Sequence, residues 1–369
     1  MKYYIIAGEA SGDLHGSNLI KALFAQDKNA DVRCWGGDLM QNAGATLVKH
    51  YKELAFMGFV EVIANIPTIF KNIAFCKKDI EAFQPDVVIF IDYSGFNLRI
   101  AKWAKQKGFR TNYYISPQVW ASRSSRVEKI KRDVDMMNVI LPFEKDFYAK
   151  HNYDVNFVGH PLIDAIADRT QVDEAAFRKE HQLSDKKIIA LLPGSRKQEI
   201  TKMLSVMLSV VDDFKEYQFV IAGAPSQDFE FYQQFIKTDN VQFINNKTYD
   251  LLSISFAALV TSGTATLETA LFKVPQVVCY KGSAITFAIA KRIITLKFIS
   301  LVNLIMDKEV VTELIQSDFN KKSLTQELMK ILDAKHRENL FLEYYELEKI
   351  LGGKGASEAS AKLIIEGVK

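Results

Sequence analysis

Short runs of β-branched and aromatic residues alternate with helical patterns along almost the whole chain, and this alternation constrains the fold more than any other feature. It predicts βαβ units and therefore parallel β-sheets. The predicted strands are Tyr3–Ala7, Val32–Gly36, Val87–Asp92, Thr111–Ser116, Asn138–Pro142, Asn156–Gly159, Ile188–Leu192, Gln218–Ala222, Val241–Ile244, Ala257–Thr261 and Gln276–Tyr280. The predicted helices include Leu14–Ala25, Leu98–Lys107, Ser323–Leu332, Arg337–Leu351 and Ser357–Glu366.

The 369-residue length is sufficient for two domains, and Gly159-His160-Pro161 interrupts the pattern near the middle of the chain. We therefore predict an α/β protein with two Rossmann-like, doubly wound domains that face each other across a cleft. The expected domains are 1–160 and 161–336, with helices from about 337 to 369 returning to the first domain. Ligands of such sheets bind beyond the carboxyl ends of the strands.

Composition narrows the class of protein further. The chain is 48% hydrophobic and 25% charged, with a net charge of +3, which is too weak to indicate nucleic-acid binding. The three dispersed cysteines predict reduced thiols in a cytoplasmic protein rather than disulfides or a thiolate metal site. No secretion signal or membrane-spanning segment is expected.

Two strand-to-helix turns in the second half are candidate anion sites. One is Leu191–Arg196, where the N–H groups of Gly194 and Ser195 and the guanidinium of Arg196 could bind a diphosphate without a metal ion. An ordinary turn with a surface arginine is equally compatible with this pattern. In the other turn, Ser262, Gly263 and Thr264 could contact phosphate oxygens, and Glu268 could bind the hydroxyls of a ribose. Alternatively, this segment could simply begin a helix.

Three strand ends in the first half complete the predicted site. Gly8-Glu9-Ala10-Ser11-Gly12-Asp13 is a glycine-containing turn that lacks the dinucleotide-binding spacing. Asp92 ends a buried strand and could act as a general base on a sugar hydroxyl or merely cap the following helix. The loop around Gln118 also follows a strand. His160, at the predicted hinge, could either reach a ligand or form structural hydrogen bonds.

A metal site is not expected. Asp133-Val134-Asp135 has the Asp-x-Asp pattern of metal-dependent transferases, but it precedes a strand and is therefore predicted to lie at the wrong edge of the sheet. No other cluster of His, Cys and carboxylate residues indicates a metal ligand set.

Two stretches combine apolar residues with cations. Phe56–Phe70 carries apolar residues at three- and four-residue spacing and is followed by Lys71, Lys77 and Lys78. Phe287–Leu304 mixes Ile and Phe with basic residues. Such surfaces are typical of peripheral binding to an anionic membrane, although a helix facing the protein core gives the same pattern.

Several motifs together resemble the lipid-A-disaccharide synthase family. The resemblance rests on Gly8–Asp13, Met57–Val62, Ser116–Ala121, Leu141–Glu144, Gly159–Pro161, Leu191–Arg196 and Ser262–Glu268, in the family's order. It implies the glycosyltransferase B architecture. It also implies a hexosyltransferase of lipopolysaccharide biosynthesis that joins UDP-2,3-diacylglucosamine to 2,3-diacylglucosamine 1-phosphate and releases UDP.

For site residues, the resemblance implies an inverting reaction with Asp92 as base, His160 and Arg196 in the catalytic site and Asn303 at the acceptor side. Gly95 stands where most members have a second carboxylate, so Asp92 is the only candidate base in this segment. No cofactor is expected, and the expected location is the cytoplasmic side of the inner membrane. An oligomer remains possible.

Two other functions remain open at this point. A UDP-N-acetylglucosamine 2-epimerase shares the architecture and a Gly-His hinge, but it needs no lipid substrate. An inert nucleotide-sugar binder at the membrane would retain the anion sites without a catalytic base.

Overall fold

The computed structural model describes residues 1–54, 66–122, 124–224, 227–282 and 297–368. These residues divide into two compact units. The first comprises Met1–Asp168 together with Leu351–Lys369, and the second comprises Arg169–Ile350. The chain therefore leaves the first unit once and returns to it only for its last helix.

The first unit is built on a seven-stranded sheet in which all strand pairs are parallel, with the order β3-β2-β1-β4-β5-β6-β7. Its central strands are almost continuous apolar runs because helices cover both faces of a parallel sheet. Every residue of Val87–Ile91 is buried, for example. The strands are β1 (Lys2–Ala7), β2 (Asp31–Gly36), β3 (Thr46–His50), β4 (Val87–Ile91), β5 (Arg110–Tyr114), β6 (Met136–Val139) and β7 (Asn156–Phe157).

The helices of this unit pack two apolar clusters against the two faces of the sheet, one containing Tyr4, Phe90 and Tyr113 and the other Ile5, Ile89 and Ile91. They are α1 (Ala10–Gln26), α2 (Asp38–Asn42), α3 (Ile66–Phe83), α4 (Ser94–Gln106), α5 (Val119–Ser122), α6 (Val127–Asp133), α7 (Pro142–Ala149) and α8 (Pro161–Ala167).

The second unit repeats the same winding on a six-stranded parallel sheet with the order β10-β9-β8-β11-β12-β13. Its strands are β8 (Lys187–Leu192), β9 (Tyr217–Gly223), β10 (Val241–Asn245), β11 (Ser255–Thr261), β12 (Gln276–Tyr280) and β13 (Glu313–Ile315). Its helices are α9 (Glu174–Glu180), α10 (Lys197–Met207), α11 (Phe229–Gln233), α12 (Thr248–Ser253), α13 (Thr264–Leu271), α14 (Leu301–Met306), α15 (Lys321–Leu332) and α16 (Ala334–Ile350). The chain ends with α17 (Ala356–Val368), which belongs to the first unit.

Each sheet reverses its winding direction once, between β1 and β4 in the first unit and between β8 and β11 in the second. The loops that leave neighbouring strands at such a reversal go to opposite faces of the sheet and open a crevice at the carboxyl edge. Gly8 and Asp92 follow β1 and β4, whereas Pro193 and Ser262 follow β8 and β11. Four of the predicted site segments, those at Gly8, Asp92, Arg196 and Ser262, therefore lie at the two reversals.

The two doubly wound α/β units confirm the predicted fold class, and their boundaries differ from the predicted ones. The first unit extends through α8 to Asp168. Helix α16 was predicted to return to the first domain, but it packs against α14 and α15 within the second unit. An amphipathic pattern shows that one face of a helix is buried, without showing which core covers it. Strands β3 and β13 were not predicted.

A buried carboxylate anchors α17 to the first unit. Asp164 on α8 accepts hydrogen bonds from the backbone N–H groups of Gly355, at 2.7 Å, and Ser357, at 3.0 Å. These donors lie at the amino end of α17, where the N–H groups have no partner within the helix. Along its length α17 packs against α1, and its Ile364 is buried.

We expect Asp164→Ala to weaken the docking of α17 by about 2–3 kcal/mol, because two charge-assisted hydrogen bonds to buried donors are lost. The measurement is the opening free energy of the α17 amides by hydrogen exchange. Asp168→Ala is the control, since among the described residues the carboxylate of Asp168 forms an exposed ion pair with Lys354, and such surface pairs contribute little to stability. Equal opening free energies in the two variants would contradict this account.

Candidate functional site

The carboxyl end of β4 places Asp92 in an unusual backbone conformation. The strand ends at Ile91, one residue earlier than predicted, and Asp92 and Tyr93 follow with φ angles of 43° and 44°. Two consecutive left-handed residues that are not glycine are uncommon and energetically unfavourable, which is a feature of functional sites. The turn leaves Asp92 exposed at the carboxyl edge, before α4 begins at Ser94.

Asn97 in the first turns of α4 stabilises this conformation. Its fully buried side-chain Nδ2 donates to the carbonyl oxygens of Asp92 at 2.9 Å, Ile91 at 3.2 Å and Ile6 at 3.3 Å. One amide therefore ties the end of β4 to β1 and to the start of α4. The contact supplies hydrogen-bond donors to carbonyl groups at the strand ends, where burial without a partner would be costly.

The carboxyl group of Asp92 has a raised pKa. Protein on several sides of the carboxyl group removes part of its solvation, and the negative charge of Glu9 adds to the effect, so that the pKa rises from 3.8 to about 6. Glu9 is exposed at the start of α1. A carboxyl group with a pKa near the working pH is a suitable general base, because it is ionised yet still accepts a proton readily.

The segment Gly8–Asp13 combines packing roles with two exposed side chains. A Cβ atom on Gly8 would lie 2.3 Å from the ring of Tyr93, and one on Gly12 would lie 3.0 Å from the Cβ of Ala7, so both positions need glycine for close packing. The carboxylate of Asp13 accepts N–H groups at the start of α2, including that of Gly37 at 2.7 Å. Glu9 and Ser11 remain exposed and free to face a ligand.

Gln118 is exposed in the turn after β5 and also lies at the carboxyl edge of the first sheet. The turn is held from behind by Ser116, whose hydroxyl pairs with that of Tyr148 at 2.6 Å. Burial raises the pKa of the neighbouring Glu144 to about 7, and its carboxylate accepts the N–H of Leu141 at 2.9 Å. Gln118 is thus carried on a supported loop beside the Asp92 turn.

The structure places His160 in the interior, and its expected catalytic role stays a prediction. Its side chain is only 4% exposed and caps α8, with Nδ1 accepting the N–H of Leu162 at 3.2 Å. Burial and the neighbouring His15 lower its pKa to about 3, so the imidazole is neutral. A polar side chain just before a helix can bind either a ligand or the backbone N–H groups of that helix. Here the side chain of His160 binds a backbone N–H group of α8. In this structure, therefore, His160 stabilises the start of α8 in the first unit.

In the second unit, the turn after β8 has the geometry of an anion site, but an internal carboxylate occupies part of it. Gly194 has a φ of 103°, and a Cβ atom there would lie 2.4 Å from Oε2 of Glu199. The same oxygen accepts the N–H of Ser195 at 3.3 Å. The guanidinium of Arg196, just before α10, is exposed. A diphosphate bound at this turn would displace the Glu199 side chain.

The turn after β11 is more open. Gly263 has a φ of 150°, and no atom lies within 4 Å of the position of a Cβ atom, which leaves room for a ligand beside the backbone. The N–H groups of Gly263 and Thr264 have no hydrogen-bond partner among the described residues. Glu268 is largely buried, which raises its pKa, and its Oε1 accepts the hydroxyl of Tyr249 at 2.8 Å.

Two other residues of this unit that were predicted to contact a ligand form hydrogen bonds within the protein. Ser262 donates its N–H to the carbonyl of Cys279 at 3.2 Å and its hydroxyl to the carbonyl of Ile299 at 2.7 Å, so it shapes the turn rather than supplying a free donor. Asn303 is 0% exposed. Its Nδ2 donates to Val311 and Glu313, and its Oδ1 accepts N–H groups of the same loop. In this structure Asn303 holds the loop that follows α14, and its expected acceptor-side role stays a prediction.

The rejected Asp-x-Asp sequence lies at the amino edge of the first sheet, as predicted. Asp133 ends α6 and pairs with Arg132, and Asp135 accepts the N–H of Thr111 at 3.0 Å at the start of β5. Within the described residues, no group of three or more His, Cys, Asp and Glu side chains is arranged to hold a metal ion.

Sequence reasoning did not assign Asn97 or Glu199 to the site. Both lie in the first turns of the helices that follow Asp92 and Arg196, where side chains reach back to strand ends. A polar residue at the third or fourth position of the helix that follows a strand end is the signal that could have identified them. The predicted membrane stretches are Phe56–Phe70 and Phe287–Leu304. Most of their residues fall within 55–65 and 283–296, which lie outside the described residues.

Solved structures show the same fold along the whole chain. UDP-GlcNAc 2-epimerase from Neisseria meningitidis, bound to UDP-GlcNAc, is 15% identical and aligns with a TM-score of 0.70 over 99% of this chain and 100% of that one. A glycotransferase of kitacinnamycin is 14% identical, with a TM-score of 0.65, 99% coverage of this chain and 98% of that one. At these identities the likeness concerns the fold alone.

Sequence comparison identifies the family. The protein from Syntrophus aciditrophicus called lipid-A-disaccharide synthase is 39% identical over 99% of this chain and 97% of its own length. The protein of the same name from Coxiella burnetii is 36% identical, covering 98% and 96%. The family model described as lipid-A-disaccharide synthetase matches residues 3–362. With both sheet reversals carrying the family's motifs, the chain belongs to the lipid-A-disaccharide synthetase family of glycosyltransferases.

Proposed function

We propose that this chain transfers 2,3-diacylglucosamine from its UDP-linked form to 2,3-diacylglucosamine 1-phosphate, with inversion, and releases UDP. The observation that carries the catalytic part of the proposal is the exposed carboxyl group of Asp92, held at a sheet reversal with a pKa of about 6. Family membership supports a UDP-sugar donor and a lipid acceptor.

The proposed reaction is a single displacement. The carboxylate of Asp92 accepts the proton of the acceptor 6-hydroxyl while that oxygen forms a bond to the anomeric carbon of the donor. The bond from this carbon to the diphosphate oxygen breaks, and its electron pair leaves with UDP. Asp92 then carries the proton, which it releases to solvent before the next cycle.

In this proposal the second unit offsets the charge of the leaving diphosphate. Arg196 supplies a guanidinium, while Gly194, Ser195, Gly263 and Thr264 supply backbone N–H groups at the starts of α10 and α13. When the diphosphate binds at the turn after β8, the carboxylate of Glu199 is released from the backbone N–H of Ser195. The oxygen of Glu268 that Tyr249 does not use is available for a ribose hydroxyl.

An epimerase and an inert nucleotide-sugar binder are the alternatives. The solved structures titled as UDP-GlcNAc 2-epimerases that resemble this chain are 13–15% identical to it, whereas the synthases are 36–39% identical, which favours the transferase. An inert binder does not require a base with a raised pKa. Release of UDP that depends on the acylated acceptor distinguishes the transferase from both.

The proposed membrane contact is peripheral, on the cytoplasmic leaflet of the inner membrane. No helix among the described residues is long and apolar enough to span a bilayer. On α3, Phe70 is 60% exposed and Phe75 is 48% exposed, and Lys71 and Lys78 are exposed on the same helix. Apolar side chains beside cations suit the interface of an anionic membrane.

Asp92→Asn should lower kcat by about 10²–10⁴-fold, because the amide cannot accept the proton, while UDP binding is retained. The assay measures UDP release from UDP-diacylglucosamine and the acylated acceptor phosphate, and calorimetry measures UDP affinity. Asp38→Asn is the control, since this exposed carboxylate also follows a strand of the first sheet. Turnover close to wild type in Asp92→Asn would rule out Asp92 as the base.

Glu9→Gln should move the acidic limb of the rate profile to lower pH. Asp92 is protonated and inactive as a base below its pKa of about 6, so kcat/KM falls as the pH falls through that value. Removing the negative charge of Glu9 favours ionised Asp92 and lowers its pKa, although partial desolvation still keeps the pKa of Asp92 above 3.8. The profile of Asp38→Asn should match wild type, and an unchanged profile in Glu9→Gln would contradict the coupling.

Phe70→Glu should weaken binding to anionic phospholipid vesicles by about 10-fold, because one exposed apolar side chain no longer enters the interface. Vesicle sedimentation at several salt concentrations measures the affinity. Leu342→Glu is the matched control, since Leu342 is 70% exposed on α16 of the other unit. Equal affinities for the two variants would contradict the assignment of the membrane contact to α3.

A further inference from the structure

Tyr113 on β5 makes a contact with the Asp92 turn that its sequence position does not reveal. It pairs with Phe90 of β4 in the sheet register, and the two ring centroids lie 5.6 Å apart in the core of the first unit. Its side chain is 0% exposed. The hydroxyl of this buried ring donates a hydrogen bond to the backbone carbonyl oxygen of Asp92.

That carbonyl receives two donors, one from each side. Asn97 donates to it at 2.9 Å from α4, and Tyr113 donates to it from β5. The N–H of Asp92 in turn donates to the carbonyl of Ile115 at 3.3 Å, just after β5. Both peptide groups of Asp92 are thus fixed by the neighbouring strand and helix while its φ angle is 43°.

The direction of the Asp92 carboxyl group follows from this backbone. A side chain leaves the main chain at Cα, so a change of φ or ψ would swing the carboxyl group relative to the strand end. The left-handed conformation is unfavourable for an aspartate, and without fixed partners the segment would relax towards extended or right-handed backbone. A catalytic group needs placement to within about 0.5 Å, which requires such support.

We propose that Tyr113 is a positioning residue of the transferase: its hydroxyl holds the left-handed backbone of Asp92 and thereby directs the carboxylate at the acceptor hydroxyl. The inference rests on the proposed role of Asp92 as base. Tyr113 itself is buried and touches no substrate. Phenylalanine would fill the same space in the core, so the hydroxyl is the group that the site requires.

The test compares Tyr113→Phe with Tyr153→Phe. Tyr153 is a partly buried member of the same core whose hydroxyl donates to the backbone carbonyl of Val134 at 3.1 Å, so both variants lose one hydroxyl-to-carbonyl hydrogen bond. Kinetics are measured at a temperature at which circular dichroism shows all variants fully folded. Asp92→Asn is assayed alongside them.

Tyr113→Phe should lower kcat on the order of 10-fold, because the base is misplaced, while KM for both substrates stays near wild type. The acidic limb of its pH profile should move to lower pH, since a carboxyl group on a relaxed turn is better solvated. Tyr153→Phe should retain wild-type kcat and pH profile. A merely structural role of the Tyr113 hydroxyl would lower the melting temperature without moving the pH profile.

The outcomes separate this inference from the proposed function. If Asp92→Asn is inactive but Tyr113→Phe matches Tyr153→Phe in kcat and pH profile, the positioning role is overturned and Asp92 stands as the base. If Asp92→Asn retains turnover, the proposed base fails, and the positioning role fails with it.

Discussion

The left-handed turn at Asp92 and Tyr93 is the constraint on which the catalytic edge of the first unit depends. Each such residue costs roughly 1–2 kcal/mol relative to right-handed backbone. The cost is offset by hydrogen bonds from Asn97 and Tyr113 to the Asp92 carbonyl and by the close approach of the Tyr93 ring to Gly8. The turn directs the carboxyl group of Asp92 outward beside Glu9. Gly8, the side-chain amide of Asn97 and the phenol of Tyr113 are the groups that this turn requires.

The two units share one sheet topology, but the charges at their sheet reversals have opposite signs. At the reversal of the first sheet, two carboxylates lie close enough for Glu9 to raise the pKa of Asp92. At the reversal of the second sheet, helix N-termini and Arg196 offer positive potential, part of which Glu199 neutralises in this structure. A transferase needs both properties, since a proton must be accepted from one substrate while negative charge grows on the leaving group of the other.

The sequence was sufficient to predict most of the strands, because parallel strands covered on both faces are apolar runs such as Val87–Ile91. It also placed the candidate loops at strand ends. It could not decide what a polar side chain at a strand end would bind. His160 and Ser262 bind backbone groups of the protein, whereas Asp92 stays exposed on a turn that a residue distant in sequence, Tyr113, helps to hold. The packing of α16 was missed for the same reason.

The central claim is that the Asp92 carboxyl group lies in a partly desolvated position beside Glu9. Selective ¹³C labelling of aspartate carboxyl carbons measures this directly, with the Asp92 resonance assigned by its loss in Asp92→Asn. In the ligand-free protein the resonance should titrate with a pKa of about 6. Titration near the ordinary value of 3.8 would show that the turn does not tune this carboxyl group as a base.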